Sequence, residues 1–348
     1  MVTRHSVRAV TETPSPFPEG WYFVAKREAI EKATLVAKIW MGESVLVWCD
    51  GNGVICVSES VCPHLGSDLG PEAGGCIRDN RLICPFHGYE FDTTGQCVAT
   101  PFAPPPKTAK LRVYETQEVA GMVFAWWGID GRPPQWRLPT DDLDQADWSD
   151  LRVNTLRFPG HPQNTTENSV DLAHLRYVHG YDNVDVIVDA DIEGPLLQTA
   201  FVFTRTRTIA RFVKMTFDVS ARTLIYGLGY SFVVIREHSI GMDMRLWVLA
   251  TPVDGTLIDL SLASQVRELR KPKRLFAGLG FLPTRWRAPM LNRFMSAEQR
   301  NDVLQDIVIW SRQQHKTRPR LCRSDGKIMP FRYYCQQFYP EPSENGAA

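Results

Sequence analysis

No stretch of this 348-residue chain approaches the roughly 18 consecutive apolar residues that a membrane-spanning helix needs. Surplus charge of either sign is missing too. The 39 Lys and Arg balance 39 Asp and Glu, so bulk electrostatics recruits neither nucleic acid nor a membrane surface. The opening residues, Met1 to Gly20, lack the apolar run of a secretory signal. Their Arg and Ser content hints at a transit peptide, against which stand Glu12 and Glu19. A Gly-x-Gly-x-x-Gly fingerprint is absent, which excludes the common dinucleotide-binding turn. No internal repeat is visible, so the chain is not a solenoid. The eight cysteines follow no paired framework; with no export signal, that points to a reducing compartment and a cytoplasmic location. What remains is 44% hydrophobic and 22% charged, an ordinary globular composition in a chain long enough for two domains.

Two short runs break that ordinary pattern: Cys62-Pro63-His64-Leu65-Gly66 and Cys84-Pro85-Phe86-His87-Gly88-Tyr89. Each offers one thiolate and one imidazole, and 19 residues lie between His64 and Cys84. Two Cys and two His could together hold one tetrahedral zinc. A zinc finger, however, pairs Cys with Cys at one end and His with His at the other. In a Rieske [2Fe–2S] centre one iron takes two Cys and the other two His, so each loop must bring one of each. The Cys-x-His and Cys-x-x-His runs meet that demand, and Cys62, His64, Cys84 and His87 are the expected cluster ligands. Pro63 and Pro85 fix φ and remove a donor beside each Cys, which shapes the loops.

From Trp21 the chain reads as short strands. Leu46–Trp48 and Val54–Val57 flank Asp50-Gly51-Asn52-Gly53, a hairpin signal because Asn and Gly accept positive φ. Arg81–Ile83 leads into the second loop, Tyr89–Phe91 leads out, and Val119–Trp127 reads as one further strand. Cys49, Cys56, Cys76 and Cys97 read as small packing residues. Pro101 to Pro106 is a stiff connector. A second break, Gly131 to Asp150, is rich in Pro and Asp. The expected organisation is a tail over 1–16, an all-β cluster domain over 17–130, a linker over 131–150 and a second domain over 151–348.

The second domain opens with Asn164 to Gly180, read as a helix started near Asn164 and Glu167 and stopped at Gly180. Asp171 and His174, three apart, share a helix face. His174 and His179, five apart, stand roughly 140° around an ideal helix. They converge on one metal only if the helix widens or ends before His179. Met295 to Arg312, free of Gly and Pro, reads as another helix with Asp302 and Asp306 on one face. Two His and one carboxylate make the facial triad of non-haem Fe(II), and on spacing either aspartate serves. Leu197–Arg211, Tyr226–Arg236, Met242–Thr251 and Thr256–Leu262 alternate like strands, predicting a large antiparallel sheet packed under helices.

Over nearly its whole length the chain resembles the oxygenase component of Rieske non-haem iron oxygenases. The Cys62/His64/Cys84/His87 set matches their cluster motif, and Asp171-x-x-His174-x-x-x-x-His179 matches their iron motif. Within that family it is most similar to 3-ketosteroid 9α-hydroxylases and cholesterol 7-desaturases. The shared stretches are Asn168 to His174, Asp306-Ile307-Val308-Ile309-Trp310, and a closing run of Phe331-Arg332-Tyr333-Tyr334 and Gln337-Phe338-Tyr339. The resemblance implies an α+β chain: an all-β Rieske domain, then a catalytic domain whose large antiparallel sheet is covered by helices (helix-grip, START-like). It implies Asp306 rather than Asp302 as the third ligand of Fe(II), beside His174 and His179. It implies O₂ as co-substrate, and electrons from NAD(P)H through a separate flavin and iron–sulfur reductase or a ferredoxin. It further implies a head-to-tail homotrimer in which Asp171 carries an electron from one subunit's cluster to the next subunit's iron. The expected reaction is hydroxylation or desaturation of a lipophilic, polycyclic or steroid-like substrate; the alternative is N-oxygenation, O-demethylation or oxidative cyclisation in a biosynthetic pathway. High-potential respiratory Rieske proteins add a disulfide between the loops, but Ser67 and Phe86 occupy those positions here. Tyr89 also stands where their cluster-bonding Ser would be. Fewer hydrogen bonds to the cluster imply a lower potential.

Arg270 to Arg293 holds seven Lys and Arg and no acid, interleaved with apolar residues. It fits a solvated helix and loop, a basic docking face for an acidic electron donor, or an apolar mouth for a lipophilic substrate.

Overall fold

The computed structural model describes residues 14–140, 143, 146–209, 213–270 and 280–340. The expected tail up to residue 13, four positions of the expected linker and 271–279 of the basic segment lie outside the described residues. The first eleven strands are β1 (Gly20–Lys26), β2 (Leu35–Trp40), β3 (Glu43–Cys49), β4 (Ile55–Glu59), β5 (Cys76–Arg78), β6 (Arg81–Ile83), β7 (Glu90–Phe91), β8 (Cys97–Ala99), β9 (Val113–Tyr114), β10 (Thr116–Val119) and β11 (Met122–Trp127), with helix α1 (Arg27–Ala33) after β1. They form three small sheets, β1-β11-β10, β2-β3-β4-β9 and β5-β6-β7-β8. The β3–β4 hairpin forms as its sequence predicts. Asp50 Oδ1 accepts from the amides of Asn52 and Val54, and Gly53 takes φ 80°. The strand expected over Val119–Trp127 forms from Met122 onward as β11; its first residue ends β10, and Ala120 and Gly121 turn at φ 51° and 77° between the two. A non-glycine residue in the left-handed region was the part of that turn the sequence did not advertise.

Seven strands build the second half: β12 (Arg152–Pro159), β13 (Asp182–Glu193), β14 (Leu196–Ile209), β15 (Val213–Tyr226), β16 (Tyr230–Glu237), β17 (Met242–Pro252) and β18 (Leu257–Val266). They make one antiparallel sheet in the order β12-β18-β17-β16-β15-β14-β13, a meander whose far edge β12 closes. The alternation read from the sequence found four of these. It missed β12, β13 and β15, and β13 shows why: nearly all of it is exposed or half-buried, so its apolar residues carry little periodic signal.

Four helices complete the chain: α2 (Pro162–Glu167), α3 (Leu172–Tyr177), α4 (Thr284–Trp310) and α5 (Ile328–Cys335). The single helix expected over 164–180 is two short ones, broken at 168–171. α2 begins at Pro162, where a missing N–H costs nothing, and the His161 ring accepts from the Gln163 amide as its cap. α4 starts well before Met295 and carries Pro289 within it. Asn292, fully buried in α4, donates to Ser149 Oγ and to the carbonyls of Asp150 and Ser264, and accepts from Ser264 Oγ. Those four bonds clamp the helix to the sheet.

The two halves share a core. Trp21, Phe23, Phe124 and Trp126 of the first pack with Tyr230, Phe232, Trp247 and Leu249 of the second. Such aromatic rings bury about 150–250 Å² each and favour the tilted contacts seen here. Gly229 permits the approach, since a Cβ there would lie 2.4 Å from the Trp21 carbonyl oxygen.

Candidate metal centres and cavity

The two cysteine–histidine loops close in the same way. In each, the Cys amide donates to the carbonyl five residues on (Cys62 to Ser67, Cys84 to Tyr89, both 2.8 Å), and its carbonyl accepts from the glycine four residues on (Gly66 and Gly88, both 3.0 Å). Both glycines adopt positive φ, 78° and 66°, a conformation that other residues enter at a cost. A Cβ on Gly88 would also stand 2.8 Å from Pro101 Cγ. These matched turns hang from β4 and from the β6–β7 hairpin, and they bring Cys62, His64, Cys84 and His87 together. Both thiols are 1% exposed. The His64 and His87 rings lie 4.9 Å apart between centroids, and Tyr89 stacks on His64 at 4.3 Å.

Burial pushes the Cys62 thiol up to about 11, with the adjoining Cys84 thiol adding to the rise and the His64 backbone opposing it. His87 Nδ1 is buried with no hydrogen-bond partner among the described residues. Two soft sulfur donors facing two imidazoles, one with an orphaned buried nitrogen, fit a [2Fe–2S] cluster. Leu65 and Phe86 flank the pair at 67% and 63% exposure, so the imidazole edge faces outward.

The second constellation lies between α3 and α4. The helix stops before His179, the second of the two conditions for convergence. Val178 is the C-cap of α3, and Gly180 turns the chain at φ 64°. His174 Nε2 and His179 Nε2 stand 3.0 Å apart. Asp306, 5% exposed, places Oδ2 3.3 Å from His179 Nε2 and Oδ1 3.7 Å from His174 Nε2. Two nitrogens each about 2.1 Å from one ion and at right angles would be about 3.0 Å apart, so the observed spacing fits a single octahedral ion. Asp306 Oδ1 is a buried acceptor with no hydrogen-bond partner among the described residues. His174 Nδ1 lies 3.0 Å from the Asp171 carbonyl, a partner that makes Nδ1 the donor and leaves the Nε2 lone pair turned inward.

The Asp171 carboxylate does not reach the His174 ring. It caps α3 instead, its Oδ1 accepting from the His174 amide at 3.1 Å. Asp302 sits one helical turn before Asp306 and is engaged elsewhere. Arg205 of β14 grips it with both terminal nitrogens at 2.7 and 2.6 Å, and the Arg205 guanidinium lies 4.8 Å over the Tyr181 ring. Sequence reasoning missed Arg205 and Tyr181 at this site, and it assigned no role to Asn168. Asn168 Nδ2 lies 3.2 Å from His174 Nε2. Its only trace was its place at the head of the matched Asn168–His174 stretch.

Around His174, His179 and Asp306 opens a chamber of about 220 Å³, lined mainly by apolar side chains such as Phe201, Val233, Val248 and Trp310. An outer chamber of about 660 Å³ adjoins it and is lined by Phe217, Val219, Met242, Leu291 and Phe294 among others. Tyr181, Phe203, Ile235, Leu246, Gln299 and Asp302 line both. A groove of about 750 Å³ on the first half, bordered by Glu59, Lys110 and Arg112, touches neither constellation.

Comparison with known proteins agrees with this geometry. Residues 20–115 match the Rieske [2Fe-2S] domain and residues 125–339 the 3-ketosteroid 9α-hydroxylase C-terminal domain. A cholesterol 7-desaturase of Ciona intestinalis is 26% identical over 95% of this chain and 71% of its own. The oxygenase component of a 3-ketosteroid 9α-monooxygenase of Rhodococcus rhodochrous is 24% identical over 96% and 86%. Dicamba monooxygenase, solved with dicamba bound, superposes with a TM-score of 0.70 at 15% identity over 93% of this chain and 98% of its own, a likeness of fold. The chain thus belongs to the Rieske oxygenases whose catalytic part is a 3-ketosteroid 9α-hydroxylase C-terminal domain.

Proposed function

We propose that this oxygenase hydroxylates or desaturates a lipophilic, polycyclic, steroid-like substrate. The observation that carries the reading is the His174/His179/Asp306 group at the floor of a largely apolar two-chamber cavity. Ligand cavities for small molecules run to about 300–1,000 Å³, and the outer chamber falls in that range. The steroid names of the relatives point the same way. Cys62, His64, Cys84 and His87 hold the [2Fe–2S] cluster; His174, His179 and Asp306 hold Fe(II). When bound, the iron offers open positions for O₂ and the cluster supplies electrons singly. Hydroxylation consumes O₂, two electrons and two protons per C–H bond oxidised and returns one water. The chain's own part is positional. The Asp171 carbonyl fixes the His174 tautomer, the apolar walls exclude water, and the Arg205 pairing keeps Asp302 from competing as a ligand.

Electrons come from NAD(P)H through a separate flavin and iron–sulfur reductase or a ferredoxin. In this reading the working unit is a head-to-tail trimer, a closed heterologous ring, in which Asp171 links one subunit's cluster to its neighbour's iron. The division into a tail, a Rieske domain over 17–130, a linker over 131–150 and a catalytic domain over 151–348 belongs to the same reading. The test is substrate-dependent O₂ uptake by the reductase-coupled holoenzyme across sterols, 3-ketosteroids and non-steroidal aromatic amines and ethers. Uptake coupled to product with a steroid supports the assignment. Coupled uptake confined to the amines or ethers would replace it.

A further inference from the structure

α4 turns a row of apolar side chains to solvent near its start. Trp286, Met290 and Phe294, each four residues from the next, are 55%, 45% and 50% exposed, and Phe281 ahead of the helix is 85% exposed. Side chains four apart drift only about 40° around a helix of 3.6 residues per turn, so the three form one stripe. Exposed Arg285, Arg293 and Arg300 run alongside it, with the Arg285 guanidinium 5.6 Å over the Trp286 ring. Arg287 instead turns back, donating to the carbonyls of Leu269, Arg270, Gly280 and Leu282, and so ties the backbone on either side of Phe281 to the helix. The stripe leads into the outer chamber, because Phe294 is both half-exposed and part of that chamber's wall.

A tryptophan-bearing apolar row beside a row of arginines is the composition of a helix that lies in a bilayer interface. Protein interfaces draw on the same aromatic residues, Met and Arg, so the choice rests on where the row leads. Here the apolar row continues into a cavity for a lipophile. We propose that this face of α4 seats on an anionic lipid bilayer, with the apolar row at the acyl boundary and the arginines at the phosphates. A lipophile then passes from the bilayer into the outer chamber without crossing water. The passage rests on the lipophilic-substrate reading above; the seating does not.

The test uses the full-length holoenzyme and vesicles of phosphatidylcholine, with and without phosphatidylglycerol. The protein is expected to sediment with the anionic vesicles and to be released as salt rises. Each basic residue at an anionic surface strengthens binding roughly fivefold, so Arg285→Glu/Arg293→Glu weakens it at least about 25-fold. Trp286→Glu/Met290→Glu, at positions that line neither chamber, weakens it comparably. The same pair slows turnover of a sterol supplied in vesicles while leaving turnover from cyclodextrin unchanged. Wild-type protein that stays in the supernatant overturns the proposal, as do double variants that sediment like wild type. Variants that bind vesicles normally but slow reductase-coupled turnover from cyclodextrin assign the face to a protein partner, and also overturn it. Sedimentation needs no turnover, so seating without activity on any steroid faults the substrate reading alone.

Discussion

Asp171 has two jobs that one substitution separates. Its Oδ1 caps α3 through the His174 amide, and its charge is the proposed link to a neighbour's cluster. Asn caps a helix about as well as Asp does, whereas Ala at the same place costs about 0.5–2 kcal/mol. Asp171→Asn therefore keeps the cap, the placement of His174 and the iron, with stability within a few tenths of a kcal/mol of the parent. Asp171→Ala gives up roughly 1 kcal/mol. It also loosens a helix of only six residues that carries one of the three iron-site donors. In the proposed ring the carboxylate supports a cluster histidine of the neighbouring copy, and removing a group that supports metal-bound histidines costs about 10–100-fold in activity. Coupled turnover should fall by that factor in Asp171→Asn, with iron content still at about three atoms per chain. The assay pairs metal analysis and the visible spectrum of the cluster with NAD(P)H-driven O₂ uptake in the presence of reductase. Near-parental turnover by an iron-replete Asn variant would refute the bridge. Loss of the mononuclear iron from the Asn variant would show that the carboxylate supports the site and not electron flow.

Three further outcomes follow from the geometry. Asp306→Ala should lose the mononuclear iron and keep the cluster spectrum, while Asp302→Ala keeps both; metal analysis decides, and the reverse pattern would reassign the ligand. Arg205→Leu removes two charge-assisted hydrogen bonds from the largely buried Asp302 carboxylate (side-chain exposure 14%) and should cost about 3 kcal/mol, most of it recovered in Arg205→Leu/Asp302→Leu. Urea unfolding followed by tryptophan fluorescence measures this, and a single variant as stable as the parent would show the pair to be idle. His161 is half-buried, with its Nε2 on the Ser15 carbonyl and its Nδ1 accepting from the Gln163 amide. Burial pushes it down from 6.5 to about 4, against the pull of the Ser15 carbonyl. Its folded value lies below its unfolded value, so the unfolded chain takes up the proton first. Its contribution is complete above about pH 6.5, is lost as pH falls toward 4, and amounts to roughly 3 kcal/mol. His161→Gln should flatten the stability profile between those limits, and an unchanged slope there would exclude the assignment.

Residues close in sequence were the easiest to read. Both candidate cluster loops were legible because each carries its donors two or three residues apart, and a loop that short must bring them together. His174 and His179 were legible as a pair, although their convergence depended on a helix ending that only the chain's path could decide. Asp306 needed more than spacing, since Asp302 shares its face. What separates them is Arg205, 97 residues before Asp302, reaching in from a strand whose partners the sequence does not state. The missed strands belong to the same class, because a half-exposed strand is held by its neighbours' hydrogen bonds more than by its own pattern.

The aromatic core shared by the two halves has a mechanical consequence. Cutting the chain between β11 and β12 would leave Trp21, Phe124 and Trp126 on one fragment and Tyr230 and Trp247 on the other, each bare to water. Neither fragment is then expected to remain soluble. The joint is a weld and not a hinge, so the distance between the two metal centres of one polypeptide is a constant of the molecule. Any gap too wide for electrons within a single copy cannot be closed by swinging one half toward the other.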